Sequence, residues 1–259
     1  SGTPVGRSAS TSARATATSV ASSAALSRSC TALTPPATAR RAVSELSNAP
    51  SGVLRVTMEA DLAQTLLSPI LPEFLAAYPD LRVQLHTSAA LEDLVGRGID
   101  DAVRVGHLEN SSLIAKRLST SRSLLVASPG YLEQNGTPQY PEDLILLSCL
   151  SFRVEADQTK WHFKFGDSVL SVPVLGRVQV SSLIFLREAA KSGLGIAMLP
   201  TWVARNDLNS GRLVPVLPGY PLEPPATPVS AVYPTGRNLA SKVRVFIDFL
   251  ANKMRSDIE

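Results

Sequence analysis

VLRVTMEADLAQTLLSPILPEFLAAYPDLRVQLHTSAALEDLVGRGIDDAVRV, residues 53–105, decides the fold. Val53–Thr57 reads as a strand rich in β-branched residues. Leu62, Leu66, Ile70, Phe74 and Tyr78 recur every four residues, the period of a helix face. Pro69 and Pro72 fall inside that pattern and are expected to bend the helix or delay its start. Leu81, Val83 and Leu85 alternate, as the inward side chains of a strand do. Leu91–Val95 reads as a short helix that ends near Gly96 and Gly98, and Ala102–Val105 as a third strand. Strand, helix, strand, helix, strand is the signature of a parallel sheet covered by helices, so the fold class is α/β.

The pattern continues downstream. Arg122–Ala127 reads as a strand, and Ser128-Pro129 starts a helical turn that runs to Asn135. Short strands follow at Cys149–Arg153, Trp161–Phe165, Val169–Leu175 and Arg177–Val180. Ser181 and Ser182 are placed to cap a helix, Leu183–Lys191, that stops at Gly193. Ile196–Leu199 and Val229–Tyr233 read as strands, with a short helix at Trp202–Leu208 between them. Leu239, Val243, Phe246, Ile247 and Leu250 form one apolar stripe on a final helix, Leu239–Met254.

Upstream the texture is different. Ser, Thr and Ala fill 26 of the first 40 positions, and the first aromatic residue is Phe74. Such a stretch cannot bury enough apolar surface to offset its ordering entropy, so residues 1–50 are read as a disordered basic arm. The chain carries a net charge of +3. Arg7, Arg14, Arg28, Arg40 and Arg41 against Glu45 put +4 in that arm and leave −1 for residues 51–259. A nearly neutral globule has no electrostatic reason to bind nucleic acid by itself. Val20–Leu26 is too short and too rich in serine for an export signal. Nothing in the sequence is long and apolar enough to span a membrane, so no membrane partner is expected.

Catalytic and metal chemistry find no support. His86, His107 and His162 are isolated from one another and from Cys30 and Cys149, so no metal site is read. There is no nucleophile elbow, P-loop or C-x-x-C motif. Gly193-Leu194-Gly195 sits at a helix end and reads as a C-cap and turn rather than a dinucleotide fingerprint. The expectation is a non-enzyme without cofactor. Two free thiols suit a reducing cytoplasm.

Gly52-Val53-Leu54-Arg55-Val56 resembles the opening strand of the C-terminal effector-binding domain of LysR-type transcriptional regulators. Pro69-Ile70-Leu71-Pro72-Glu73-Phe74 with Tyr78-Pro79 resembles its first helix, and Asp100-Asp101-Ala102-Val103-Arg104-Val105-Gly106 resembles its third strand. Ser111-Ser112-Leu113-Ile114-Ala115, Val126-Ala127-Ser128-Pro129-Gly130-Tyr131-Leu132, Gly136-Thr137-Pro138, Pro141-Glu142-Asp143-Leu144, Trp161-His162-Phe163, Gly193-Leu194-Gly195-Ile196-Ala197-Met198-Leu199-Pro200 and Gly211-Arg212-Leu213-Val214 follow in family order. Each phrase is weak alone; about ten in order over residues 52–256 are specific.

The resemblance implies a two-lobed fold of the type II periplasmic-binding-protein kind with two crossover strands. Lobe I would be 52–127 and 231–259, and lobe II 128–230, with crossovers near Ala127–Ser128 and Ala231–Tyr233. It also implies a small-molecule effector, a homo-oligomer (dimer or tetramer), and promoter DNA bound through a winged helix-turn-helix. No helix-turn-helix pattern is recognisable here. Residues 39–48 have the spacing of a linker-helix remnant, and the block before them reads either as a natural low-complexity arm or as a shifted reading frame. A transporter's solute-binding protein and a stand-alone ligand-binding decoy share the fold and are the competing functions.

Ligands in such folds bind between lobes, at strand ends and helix N-termini. That places Ala60 and Asp61 after the first strand, Thr87 and Ser88 after the second, and Arg104 on the third. Phe152 and Arg153 lie at the end of the first lobe II strand, and Ser181 and Ser182 at a helix start. The plain reading of the serines is that they cap helices whether or not a ligand binds. Arg104 equally suits a structural pair with Asp100 or Asp101. Glu59 and Asp61 argue against an anionic effector and suit one with a cationic or hydroxyl group.

Overall fold

The computed structural model describes residues 49–88, 94–106, 113–152, 159–235 and 239–257. The opening segment forms β1 (Gly52–Met58), a helix α1 over residues 60–77, β2 (Leu81–Thr87) and β3 (Asp101–Val105). β1 pairs in parallel with both β2 and β3. The helix expected at Leu91–Val95 lies largely outside the described residues. Two further strands, β4 (Leu113–Ser121) and β12 (Thr227–Pro234), complete a five-stranded sheet in the order β2-β1-β3-β12-β4. β12 runs antiparallel to both of its neighbours.

The second sheet is assembled from β5 (Ser123–Ala127), β6 (Cys149–Phe152), β9 (Gln179–Val180), β10 (Ile196–Pro200) and β11 (Val214–Val216), in the order β11-β5-β10-β6-β9. A hairpin of β7 (Thr159–Phe165) and β8 (Ser168–Val174) packs on it. Helices α2 (Pro129–Asn135), α3 (Leu183–Lys191) and α4 (Thr201–Asn209) belong to this half, and α5 (Ser241–Asp257) returns to the first sheet. The fold is the expected two-lobed α/β architecture. The change of sheet falls at Arg122, between β4 and β5, rather than near Ala127–Ser128. The reason is pairing: β5 bonds antiparallel to β10 and β11, so its apolar residues belong to lobe II. The return strand lies wholly in the first sheet from Thr227, before the expected Ala231.

The prolines neither delay nor end α1. It comprises α-helical Ala60–Leu62, a π-helical turn Ala63–Leu67, and α-helical Ser68–Ala77 with Pro72 inside. The π turn directly precedes Pro69, where a missing N–H interrupts the α ladder in any case. The wider turn brings Leu62, Ala63, Leu66 and Leu67 together into the core. Phe74 carries the remaining contact: its ring lies 5.1–5.3 Å from those of Tyr78, Phe246 and Phe249. On α5, Val243, Phe246, Ile247 and Leu250 of the stripe read from sequence are buried, joined by Met254, and the helix starts two residues after Leu239.

Candidate functional site

The start of α1, which follows β1 of the first sheet, meets the start of α3 on the second. α3 begins because Ser182 adopts an extended conformation (φ −126°, ψ 122°) and its Oγ accepts the Phe185 N–H at 3.2 Å. That leaves the Ser182 hydroxyl proton and the Leu183 N–H directed outward from the helix. Both go to one group. Asp61, in the first turn of α1, accepts from Ser182 Oγ at 3.0 Å through one carboxylate oxygen and from the Leu183 N–H through the other. A carboxylate from the first lobe thus completes the cap of a helix in the second. Placing its charge at a helix N-terminus is electrostatically favourable, and it is at the start of its own helix too.

The other expected residues lie as follows. Ala60 and Thr87 line a groove of about 390 Å³ between α1 and β2, with Gln64, Leu67, Leu71 and Leu85 among its walls, all from the first lobe. Ser88 follows β2, and its N–H donates to Met58 O at 3.0 Å, fixing the loop against the end of β1. Phe152 is partly buried against the main core and pairs with Val180 at the edge of the second sheet. Ser181 is exposed beside the capping Ser182. Arg153 lies outside the described residues.

Arg104 is 4% exposed and links β3 to β1 within the first sheet. Its guanidinium donates to Val103 O at 3.0 Å and to Thr57 Oγ1 at 3.3 Å. Asp100 instead pairs with Lys242 and accepts the Arg55 N–H at 2.8 Å. Asp101 is fully buried, and neither carboxylate oxygen makes a well-formed hydrogen bond. Burial raises its pKa from 3.8 to about 7, against the opposing pull of the Ala102 N–H and the Arg104 charge. The sequence reading missed Thr57 and Gln64. Thr57, a buried hydroxyl between the apolar Val56 and Met58, is the signal that could have found the Arg104 pair.

A second groove of about 240 Å³ lies away from the Asp61–Ser182 pair, lined by Arg55, Gln84, His86 and Arg97 among others. His162 Nδ1 is 2.8 Å from Ser171 Oγ on the hairpin. Cys149 is buried, and burial pushes its thiol up to about 12, which leaves it unreactive at neutral pH. Among the described residues no group of three His, Cys, Asp or Glu is arranged to hold a metal, and no helix is long and apolar enough to cross a membrane.

The profile of the family described as "LysR substrate binding domain" matches residues 47–255. An HTH-type transcriptional regulator of Xanthomonas campestris is 32% identical over 225 residues, covering 85% of this chain and 65% of that protein. CrgA, an HTH-type transcriptional regulator of Neisseria meningitidis serogroup C, is 33% identical over 214 residues, covering 81% and 69%. The chain therefore spans about two thirds of the length of such relatives. The solved structure of CrgA superimposes with a TM-score of 0.72 at 31% identity, covering 84% of this chain and 76% of that one. The full-length Vibrio cholerae virulence activator AphB gives 0.69 at 29% identity, covering 83% and 74%.

Proposed function

The chain belongs to the LysR-type transcriptional regulators, and on that premise we propose that residues 52–259 sense a small polar organic effector in the space between the two sheets. The observation that carries this is the contact of Asp61 from the first lobe with Ser182 and Leu183 from the second. Groups from both lobes at one place allow a ligand to change how the lobes sit, provided it binds one arrangement better than the other. Ala60, Asp61, Thr87, Ser88, Ser181 and Ser182 would contact the effector, with Phe152 at the margin. Arg104 would shape the site from beneath, through Thr57.

In the whole protein, the reading is a cytoplasmic, non-enzymatic regulator that contacts promoter DNA through a winged helix-turn-helix and has no cofactor. Residues 1–50 are proposed as a basic arm outside the sensing domain. The experiment is a thermal-shift screen of small polar metabolites on the full chain, followed by titration calorimetry. A stabilising compound is expected, and its affinity should fall in the Ser181→Ala/Ser182→Ala variant. That variant should also lose about 1–2 kcal/mol of stability with the cap. Unchanged affinity in the folded double variant would show that the compound binds elsewhere.

The chain is also proposed to assemble as a homodimer through α1 and the edge strand β2. Leu67 is buried within the chain because the π turn rotates it inward. Leu71 remains half-buried, and Leu75 and Leu85 are 36% and 39% exposed. They leave an apolar strip along an open sheet edge, a surface that isologous dimers cover. Sedimentation at micromolar concentration should give a dimer. A folded monomer would show that this strip needs no partner.

A further inference from the structure

We propose that Asp61 is an internal ligand, one that fills the anion position at the start of α3 and latches the two lobes together before any effector arrives. Asp61 and Ser182 are separated by 121 residues and belong to elements on different sheets, yet both carboxylate oxygens are engaged, one by the Ser182 hydroxyl and one by the Leu183 N–H. The geometry is that of a bound carboxylate: two donors, one from a side chain and one from backbone, at the N-terminus of a nine-residue helix. Here the carboxylate is tethered to the other lobe, so satisfying it and closing the lobes are one event.

Tethering has two consequences. A side chain already held near its donors competes at high effective concentration, so a free carboxylate gains little by entering. An effector must then meet a cleft whose Ser182 and Leu183 donors are taken and whose partly buried Asp61 carboxylate has only acceptor lone pairs left to offer. That selects a molecule presenting a hydroxyl or an amine toward Asp61, not a carboxylate toward α3. The latch also makes closure partly independent of effector, which narrows the range over which binding can shift the lobes.

This inference rests on the sensing site lying between the lobes, but its test needs no effector, so its failure would leave that reading standing. Asp61→Ala in the full chain removes the carboxylate and leaves its donors in place. Small-angle scattering is expected to show a larger radius of gyration for the variant than for the wild type. Sodium acetate, but not sodium chloride at equal ionic strength, should restore both the smaller radius and the lost thermal stability. The wild type should respond to neither salt in a distinguishable way. If Asp61→Ala does not fold, Asp61→Asn is compared by radius and stability alone: it removes the charge and one acceptor, so it should be looser than the wild type, while its amide still fills the position and leaves acetate nowhere to bind. A variant as compact and stable as the wild type, or an Asp61→Ala that acetate and chloride affect equally, would overturn the latch.

Discussion

Replacing Asp101 by Asn should make the domain more stable than the wild type above neutral pH and leave the two nearly equal below pH 4. Asp101 lies on β3 with no exposed surface, among residues of the first sheet, and its pKa is raised from 3.8 to about 7 by burial. The folded state therefore holds its proton more tightly than the unfolded chain. Below 3.8 the group is neutral in both states and costs nothing as a charge. As pH rises from there toward 7, the unfolded chain releases the proton and the folded one does not, so stability falls. Above 7 the buried charge is present in full, at a cost on the order of 4 kcal/mol. Arg104 reduces this cost and Asp100 adds to it. Glu188 behaves in the opposite sense: Lys191 and Arg187 lower its pKa, so its contribution is lost as pH falls. Comparing the two proteins cancels such terms. Urea midpoints of wild type and Asp101→Asn measured between pH 4 and 8 should diverge steadily with pH. Parallel curves would show that Asp101 is solvated in solution.

Gly176→Ala should cost about 3 kcal/mol, at the upper end of what a single added methyl does in a packed interior. A Cβ at this position would stand 1.9 Å from Cys149 O and 2.7 Å from Cys149 C. Both are backbone atoms of β6 and cannot rotate away. Residues on either side of Gly176 bind that same strand: Cys149 N–H donates to Leu175 O at 2.9 Å, and Ser151 N–H to Val178 O at 3.1 Å. The methyl must push this segment off β6 and break those bonds. Gly130 provides the control. It lies in α2 with nothing within 4 Å of an added Cβ, so Gly130→Ala should stabilise by about 0.5–1 kcal/mol. Thermal unfolding of the two variants should move in opposite directions, and a harmless Gly176→Ala would mean that the approach to β6 is looser than described.

Much of the architecture was legible because burial leaves a period in the sequence. The stripe on α5 and the strands β1 and β3 are apolar where the core requires it, and their family-like phrases agree. β4 was not legible. Its residues LIAKRLSTS alternate poorly because it is an edge strand, exposed along most of Leu113–Lys116, with only Leu118 and Ser121 fully buried. The crossover position depended on which sheet Ser123–Ala127 joins, and a short apolar strand carries no record of its partner. At the site, position in the fold led to Asp61 and Ser182 separately. That they bind each other could not be read, since a contact across 121 residues depends on how the lobes meet. The π turn was hidden for a related reason: four-residue spacing over Leu62–Tyr78 fits a plain helix, and the deviation shows only in the burial of Leu67.

The most direct test of the sensing claim is a crystal structure of the full chain with the best stabilising metabolite bound. The compound should lie between the sheets, within hydrogen-bond reach of Asp61 and of Thr87 or Ser88, with a hydroxyl or amine facing the Asp61 carboxylate. A compound found instead in the groove of Arg55, Gln84, His86 and Arg97, with the space between the lobes empty, would contradict it.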